Sequence, residues 1–201
     1  MKITDIKQQV KRQGRYSIFI DGSFRFGLSE SALLEQSLRI GQELTDRQLA
    51  DLTDVAQADK AFSRLLDLIA RRPRSIWEAR DYLRRKGYEE ELIEQIVARV
   101  QKIGYLDDFD FARRWAESRR LLKPISSKKL MFELRQKRIS DDIITQVLQQ
   151  ADDDYDERAV LRELIVRKQS RYPDDQKLIR YLAGQGFRYD DIKAVLADLD
   201  N

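Results

Sequence analysis

Cysteine and histidine are both missing from the 201 residues. Without cysteine there is no disulfide, thiolate nucleophile or thiolate metal ligand, a composition that fits a reducing cytoplasm. Without histidine there is no His-based catalytic triad, no His-carboxylate zinc site and no imidazole acid–base step. Proline occurs three times and glycine eight, the glycines singly, and neither a Walker-type phosphate loop nor G-x-G-x-x-G is present. No apolar run approaches the roughly 20 residues that a membrane helix needs. The opening MKITDIKQQVKRQG lacks the apolar core of a secretory signal. Any enzyme built from this chain would have to rely on carboxylates, Lys, Arg, Ser or Tyr, and no cofactor is implied.

What the chain does have is charge. Asp, Glu, Lys and Arg make up 36% of it, against about 25% in an average globular domain. The net charge of +3 conceals an asymmetry: residues 1–59 sum to −1, residues 60–138 to +9 and residues 139–201 to −5. A basic middle between neutral and acidic flanks is the footprint expected of a surface for a polyanion or an acidic partner. The competing account is a set of helices with solvated, arginine-rich faces.

The order of elements is legible from periodicity. RYSIFIDGSFRFGLS alternates on either side of Asp21-Gly22, the dipeptide of a type I′ turn, and predicts a β-hairpin. In that hairpin Phe19 faces Phe24, Ser17 faces Phe26, and Ile18 and Ile20 point to the other side. KITDIKQQ adds a third strand, and the sheet packs on a helix near Ser29–Gln36. From Thr45 the period is helical, opened by a Thr45–Gln48 capping box, with a break expected near Gln57–Asp59. A repeat then emerges. Pro73, Pro124 and Pro173 precede Leu83, Leu134 and Leu182, then Gly87, Arg138 and Gly186, then Ile93, Ile144 and Ile192, then Ile96, Val147 and Val195. The fold class expected is mainly α: three tandem three-helix repeats forming an elongated curved body, after a small N-terminal β-hairpin region. The expected boundaries are 1–57 for the N-terminal extension, then 58–104, 105–151 and 152–201 for the repeats.

Asp107-Asp108 opens the first helix of the second repeat and reads as a helix cap, with a metal or acid–base pair as the alternative. Downstream, Phe111, Trp115, Ser118 and Leu122 form a core stripe, with Ala112 and Ala116 beside it and Arg113, Arg114 and Arg120 projecting from the other side. Asp152, Asp154, Asp156 and Glu163 mimic a calcium loop, but Glu157 stands where that loop needs glycine, so an acidic helix start is the better account. In RRPRSIWEARDYLRRKGY, Ser75 and Glu78 make a capping box. Ile76, Ala79, Tyr82 and Leu83 share one face, and Trp77, Arg80 and Arg84 share the other. Trp77 is expected to pack on a neighbouring helix; stacking on a base or anchoring a partner is its alternative. The residues singled out for contact are Arg71, Arg72, Arg74, Trp77, Arg80, Arg84, Arg85 and Lys86 in the first repeat. In the second they are Arg113, Arg114, Arg120, Lys123, Lys128, Lys129, Arg135, Lys137 and Arg138.

Arg72-Pro73-Arg74-Ser75, Leu83, Lys86-Gly87-Tyr88 and Gly104-Tyr105-Leu106-Asp107-Asp108 with Phe111-Ala112 resemble the RecX family, regulators of the RecA recombinase. The resemblance covers about residues 60–200, and Arg138 departs from it by standing where the family has glycine. It implies a non-enzymatic cytoplasmic protein of DNA repair and the SOS response, a monomer without cofactor. Such a protein binds the groove of the RecA filament on single-stranded DNA and damps recombinase, ATPase and coprotease activities. The contact residues above would then meet RecA, filament DNA or both. A stand-alone DNA-binding repeat protein and a carboxylate enzyme using Asp107 and Asp108 are the other readings. On the first reading, reversing Arg80, Arg84 and Arg85 to Glu weakens filament inhibition without unfolding the chain.

Overall fold

The computed structural model describes residues 1–10, 12–122, 124–152 and 156–199. Its described residues divide into two compact units: Met1–Arg74 with Ala79–Tyr105, and Ser75–Glu78 with the chain from Leu106 onward. The first unit opens with an antiparallel sheet, β1 (Ile3–Gln8), β2 (Arg15–Ile20) and β3 (Ser23–Ser29), in that order. Asp21 and Gly22 both take positive φ, 48° and 80°, as a type I′ turn requires. Phe19 pairs with Phe24 as expected, their rings edge to face at 6.0 Å. The register then slips: Ile18 lies opposite Phe26, and Ser17 opposite Gly27 rather than Phe26. One extra residue on β3 makes a bulge, and a bulge turns the following side chains over. Phe26 thus joins Ile3, Ile18, Ile20 and Leu28 in the core instead of facing out beside Ser17.

That core is closed by α1 (Glu30–Glu35), capped by Ser29, and by α2 (Asp46–Ile69), through Ala32, Leu52 and Ala56. Both halves of the Thr45–Gln48 capping box are formed. Helix α2 runs unbroken through Gln57–Asp59, where a break is expected from the sequence. The segment DVAQADKAF contains neither glycine nor proline and is rich in alanine, so nothing local interrupts the hydrogen-bond ladder. Arg15, at the start of β2, reaches across to this helix. Its Nη2 lies 3.0 Å from Asp59 Oδ2 and 3.2 Å from the Gly27 carbonyl oxygen, and its Nη1 lies 2.9 Å from Ser63 Oγ. The two charged side chains are only 12% and 10% exposed.

Helices α3 (Ile76–Arg85) and α4 (Glu90–Lys102) complete the first three-helix group, the first turn of α3 belonging to the second compact unit. The second unit continues with α5 (Asp108–Leu122), α6 (Ser127–Gln136) and α7 (Asp141–Asp152), then α8 (Glu157–Gln169), α9 (Asp175–Gly184) and α10 (Tyr189–Leu199). The repeat positions read from the sequence are the core positions of each group: Leu83, Leu134 and Leu182, Ile93, Ile144 and Ile192, and Ile96, Val147 and Val195 are all buried. The second helix of each group ends identically. Tyr88, Ile139 and Phe187 donate their N–H back to the carbonyls of Leu83, Leu134 and Leu182, and the residue before each has positive φ: Gly87 at 79°, Arg138 at 60°, Gly186 at 93°. This is the Schellman ending, which favours glycine because a Cβ is strained there. Arg138 takes this conformation with a Cβ. Replacing Arg138 with glycine is expected to raise stability by about 1 kcal/mol, read as a melting temperature a few degrees higher. An unchanged or lower value would show that the arginine side chain contributes more than its backbone costs. Among the described residues no helix is long and apolar enough to cross a membrane.

Candidate interaction surface

Helix starts account for the paired acids. Asp107 Oδ1 accepts the N–H groups of Phe109 and Asp110, at 2.7 and 2.9 Å, and so caps α5. Asp108 Oδ1 accepts from the Ile76 N–H at 2.8 Å, at the start of α3. Both carboxylates are engaged with helix N-termini, which their charge favours. Asp156 does the same for α8, accepting from Arg158 and Ala159. Asp154 lies outside the described residues, as does the side chain of Asp152.

Trp115 organises the second unit. It stacks at a tilt on Phe111, 5.7 Å between centroids, and its Nε1–H donates to Glu133 Oε2 at 3.0 Å. The Arg119 guanidinium lies 4.9 Å from the Trp115 ring and bonds the same Glu133 oxygen at 2.6 Å. Lys137 Nζ lies 5.1 Å from the ring and 2.7 Å from Glu78 Oε1. Two cations and an acceptor around one indole give a satisfied, half-buried cluster. Lys137 is thereby tied within the fold to Glu78 and the Trp115 ring. The expected core stripe on α5 stops early: Ser118 is exposed and Leu122 is 82% exposed. The last turn of the helix carries no buried residue, so the core ends at Ala116.

Most of the remaining cations have carboxylates of their own. Arg80 makes a two-pronged contact with Glu94, through Nε at 2.7 Å and Nη2 at 2.6 Å. Arg84 pairs with Glu90, Arg85 with Asp81, Arg114 with Asp110, and Arg135 with Asp141, while Arg113 bridges Asp110 and Glu117. The Arg80 hydrogen bonds hold the Glu94 carboxyl below the usual carboxylate range, against a smaller desolvation in the opposite sense. The pair's contribution is present at neutral pH and fades as pH falls through that lowered value. It is small, because both side chains remain exposed. Reversing Arg80, Arg84 and Arg85 to Glu would set new acids against Glu94, Glu90 and Asp81, so that variant is expected to cost some stability as well as remove positive charge.

Lys129 Nζ donates to the Gly184 carbonyl oxygen at 2.5 Å. Arg72, Arg74 and Arg120 make intramolecular interactions as well. Lys123 lies outside the described residues. Arg71, Lys86, Lys128 and Arg138 are exposed and have no carboxylate partner among the described residues; Lys86 Nζ sits 5.6 Å from the Tyr82 ring. Arg71, Arg72, Arg74, Arg80, Arg84, Arg85 and Lys86 belong to the first unit, and Trp77 and the other described candidates to the second. Trp77 is 40% exposed and does not make the full packing expected of it. Among the exposed aromatics outside the sequence candidates is Phe132, which is 59% exposed. It lies four residues after Lys128 and three before Arg135, on one face of α6, a spacing that a helical wheel would have shown.

The arrangement has close counterparts. Residues 1–45 match the model of the regulatory protein RecX N-terminal domain, residues 61–99 the RecX first three-helix domain, and residues 107–148 the RecX second three-helix domain. Regulatory protein RecX of Listeria monocytogenes is 30% identical over 206 residues, an overlap of 98% of this chain and 76% of the relative. Regulatory protein RecX of Clostridium botulinum is 26% identical, with 100% and 97% of the two chains covered. A crystal structure of a regulatory protein RecX superposes with a TM-score of 0.73 at 27% identity, covering 98% of each chain. The crystal structure of RecX from Lactobacillus salivarius shares the fold, with a TM-score of 0.61 at 22% identity over 71% of this chain and 96% of that one. The sheet, the repeated three-helix groups and these matches lead to one conclusion: the chain belongs to the RecX family of regulatory proteins.

Proposed function

We propose that the protein is a non-enzymatic regulator of the RecA recombinase, acting on the RecA filament assembled on single-stranded DNA. The observation that carries this reading is likeness to proteins named for regulation along almost the whole chain. The chemistry agrees with it. The catalytic-looking acids are engaged in capping, whereas exposed cations and two exposed aromatics stand on helices α3 and α6. Tryptophan and arginine are the residue types that most often carry binding energy at interfaces. A protein that binds one state of a filament better than another shifts the population towards the preferred state, and needs no chemistry to do so. Damping of recombinase, ATPase and coprotease activities would follow from that shift, in the setting of DNA repair and the SOS response in the cytoplasm.

The cations with no carboxylate partner among the described residues give the cleanest test. Changing Arg71, Lys86 and Lys128 to Ala and Arg138 to Gly removes four positive charges and breaks no ion pair among the described residues. Half-inhibition of RecA ATPase on single-stranded DNA is expected to need at least about ten times more of this variant than of the wild type, equivalent to 1.4 kcal/mol. Equal inhibition by a folded variant would remove these four residues from the contact. A second reading, direct binding to DNA, is favoured by the +9 charge of residues 60–138. It predicts affinity for bare DNA that falls steeply with salt.

A further inference from the structure

Three carboxylates stand at one period along the chain. Asp59, Asp108 and Glu157 are spaced 49 residues apart, and each sits on the first helix of its three-helix group. Each accepts a backbone N–H from the start of a helix about one half-repeat earlier: Asp59 from Ser29 at 2.9 Å, Asp108 from Ile76 at 2.8 Å, and Glu157 from Ser127 at 3.0 Å. The sequence separations are 30, 32 and 30. All three receiving helices are capped by serine. Ser29 Oγ accepts from Ala32, Ser75 Oγ from Glu78 and Ser126 Oγ from Lys129, each at 3.2 Å.

The physical logic is shared, though the amide held is that of the cap serine itself at Ser29 and that of the next residue at Ile76 and Ser127. A helix start leaves four N–H groups without intrahelical partners. The serine takes one, and the arriving carboxylate takes another while meeting the positive end of the helix dipole. The cap serines Ser75 and Ser126 are fully buried, while the residues whose amides are held, Ser29, Ile76 and Ser127, are half-buried. The six-residue α1 therefore stands in the N-terminal region where α3 and α6 stand in the repeats.

The third group differs at the matching position. There the cap is Asp174, whose own carboxylate accepts from Gln176 and Lys177. Among the described residues no other carboxylate bonds the neighbouring Asp175 N–H. A charged cap would repel an arriving acid, whereas serine admits one.

We infer that Asp59, Asp108 and Glu157 are one repeated latch, in which an acid on the first helix of each group positions the start of a serine-capped helix upstream of it. Asp108 is thereby a positioning residue for the first turn of α3, which carries Trp77, and Glu157 for α6, which carries Lys128, Lys129 and Arg135. That consequence rests on the proposed function; the latch itself does not.

Amide hydrogen exchange on the full chain separates the two. Asp108→Ala is expected to speed exchange at the Ile76 amide by at least roughly tenfold and leave Ser127 as it was; Glu157→Ala should do the reverse. Asp108→Asn and Glu157→Gln, which keep an acceptor oxygen, should restore most of the protection and also serve if an alanine variant does not fold. Unchanged exchange at both amides in folded variants would overturn the latch, as would a rise spread evenly over all amides. With the wild type inhibiting RecA, Asp108→Ala should inhibit less well and Asp108→Asn should recover. Faster exchange with undiminished inhibition would overturn the positioning role and leave the latch standing. If the wild type has no effect on RecA, the proposed function falls while the exchange result still decides the latch.

Discussion

Removing the Asp59 carboxylate, as in Asp59→Ala, is expected to destabilise the N-terminal unit by roughly 3–5 kcal/mol, the usual cost of leaving a buried charge without its partner. Asp59 is nearly enclosed, faces Arg15 at 3.0 Å, and also accepts from the Ser29 N–H and hydroxyl. Its loss leaves the Arg15 guanidinium with Ser63 Oγ and the Gly27 carbonyl as its partners among the described residues. The diagnostic companion replaces both partners with apolar residues of similar size, Arg15→Met with Asp59→Leu. Buried pairs replaced in this way often lose little, so the double variant should be markedly more stable than Asp59→Ala alone. Urea unfolding reads both. A loss below about 1 kcal/mol for Asp59→Ala would show that water reaches the pair and that its burial contributes little.

The second large effect is expected at Gly186. A Cβ there would stand 2.7 Å from Lys129 Cβ and closer still to Ser126 Oγ, and φ is 93°. Gly186→Ala thus combines overpacking, typically 1–3 kcal/mol, with the left-handed backbone penalty of about 1–2 kcal/mol. Gly87 supplies the control, because it has a similar φ of 79° and nothing within 4 Å of an added Cβ. Gly87→Ala should show the backbone cost alone. The difference between the two melting curves is then the packing cost of bringing the α9–α10 turn against the start of α6. Equal losses at the two glycines would mean that α6 yields to the methyl group.

The repeat was legible because its signals are local. Proline before a helix, leucine in the middle and a left-handed residue at its end are each dictated by backbone chemistry, and they recur at a period long enough to be seen. The Asp21-Gly22 turn and the Thr45–Gln48 box are of the same kind. The features missed depend on contacts distant in sequence. The bulge that moves Phe26 into the core follows from pairing between strands, whose hydrophobic alternation fits either register up to that point. Leu122 lies on the same helical stripe as Phe111, yet it is exposed because the core ends before it. The cations are the clearest case. Arg80 and Arg84 look available in the sequence, and their carboxylates, Glu94 and Glu90, arrive from the next helix. Lys137 finds Glu78 fifty-nine residues away. The acids at 108 and 157 were in view at helix starts and Asp59 only at an expected break, but the amides they hold lie 30 to 32 residues upstream, and a cap search looks only a turn ahead.

The most direct measurement is the ATPase of RecA from the same source on single-stranded DNA, titrated with this protein, beside its binding to the same DNA alone at matched salt. The account predicts that ATPase falls at protein concentrations well below those that coat bare DNA. Inhibition that appears only once the DNA is already coated would make the protein a competitor for DNA rather than a regulator of the filament, and no change in ATPase at any concentration would contradict the proposed function outright.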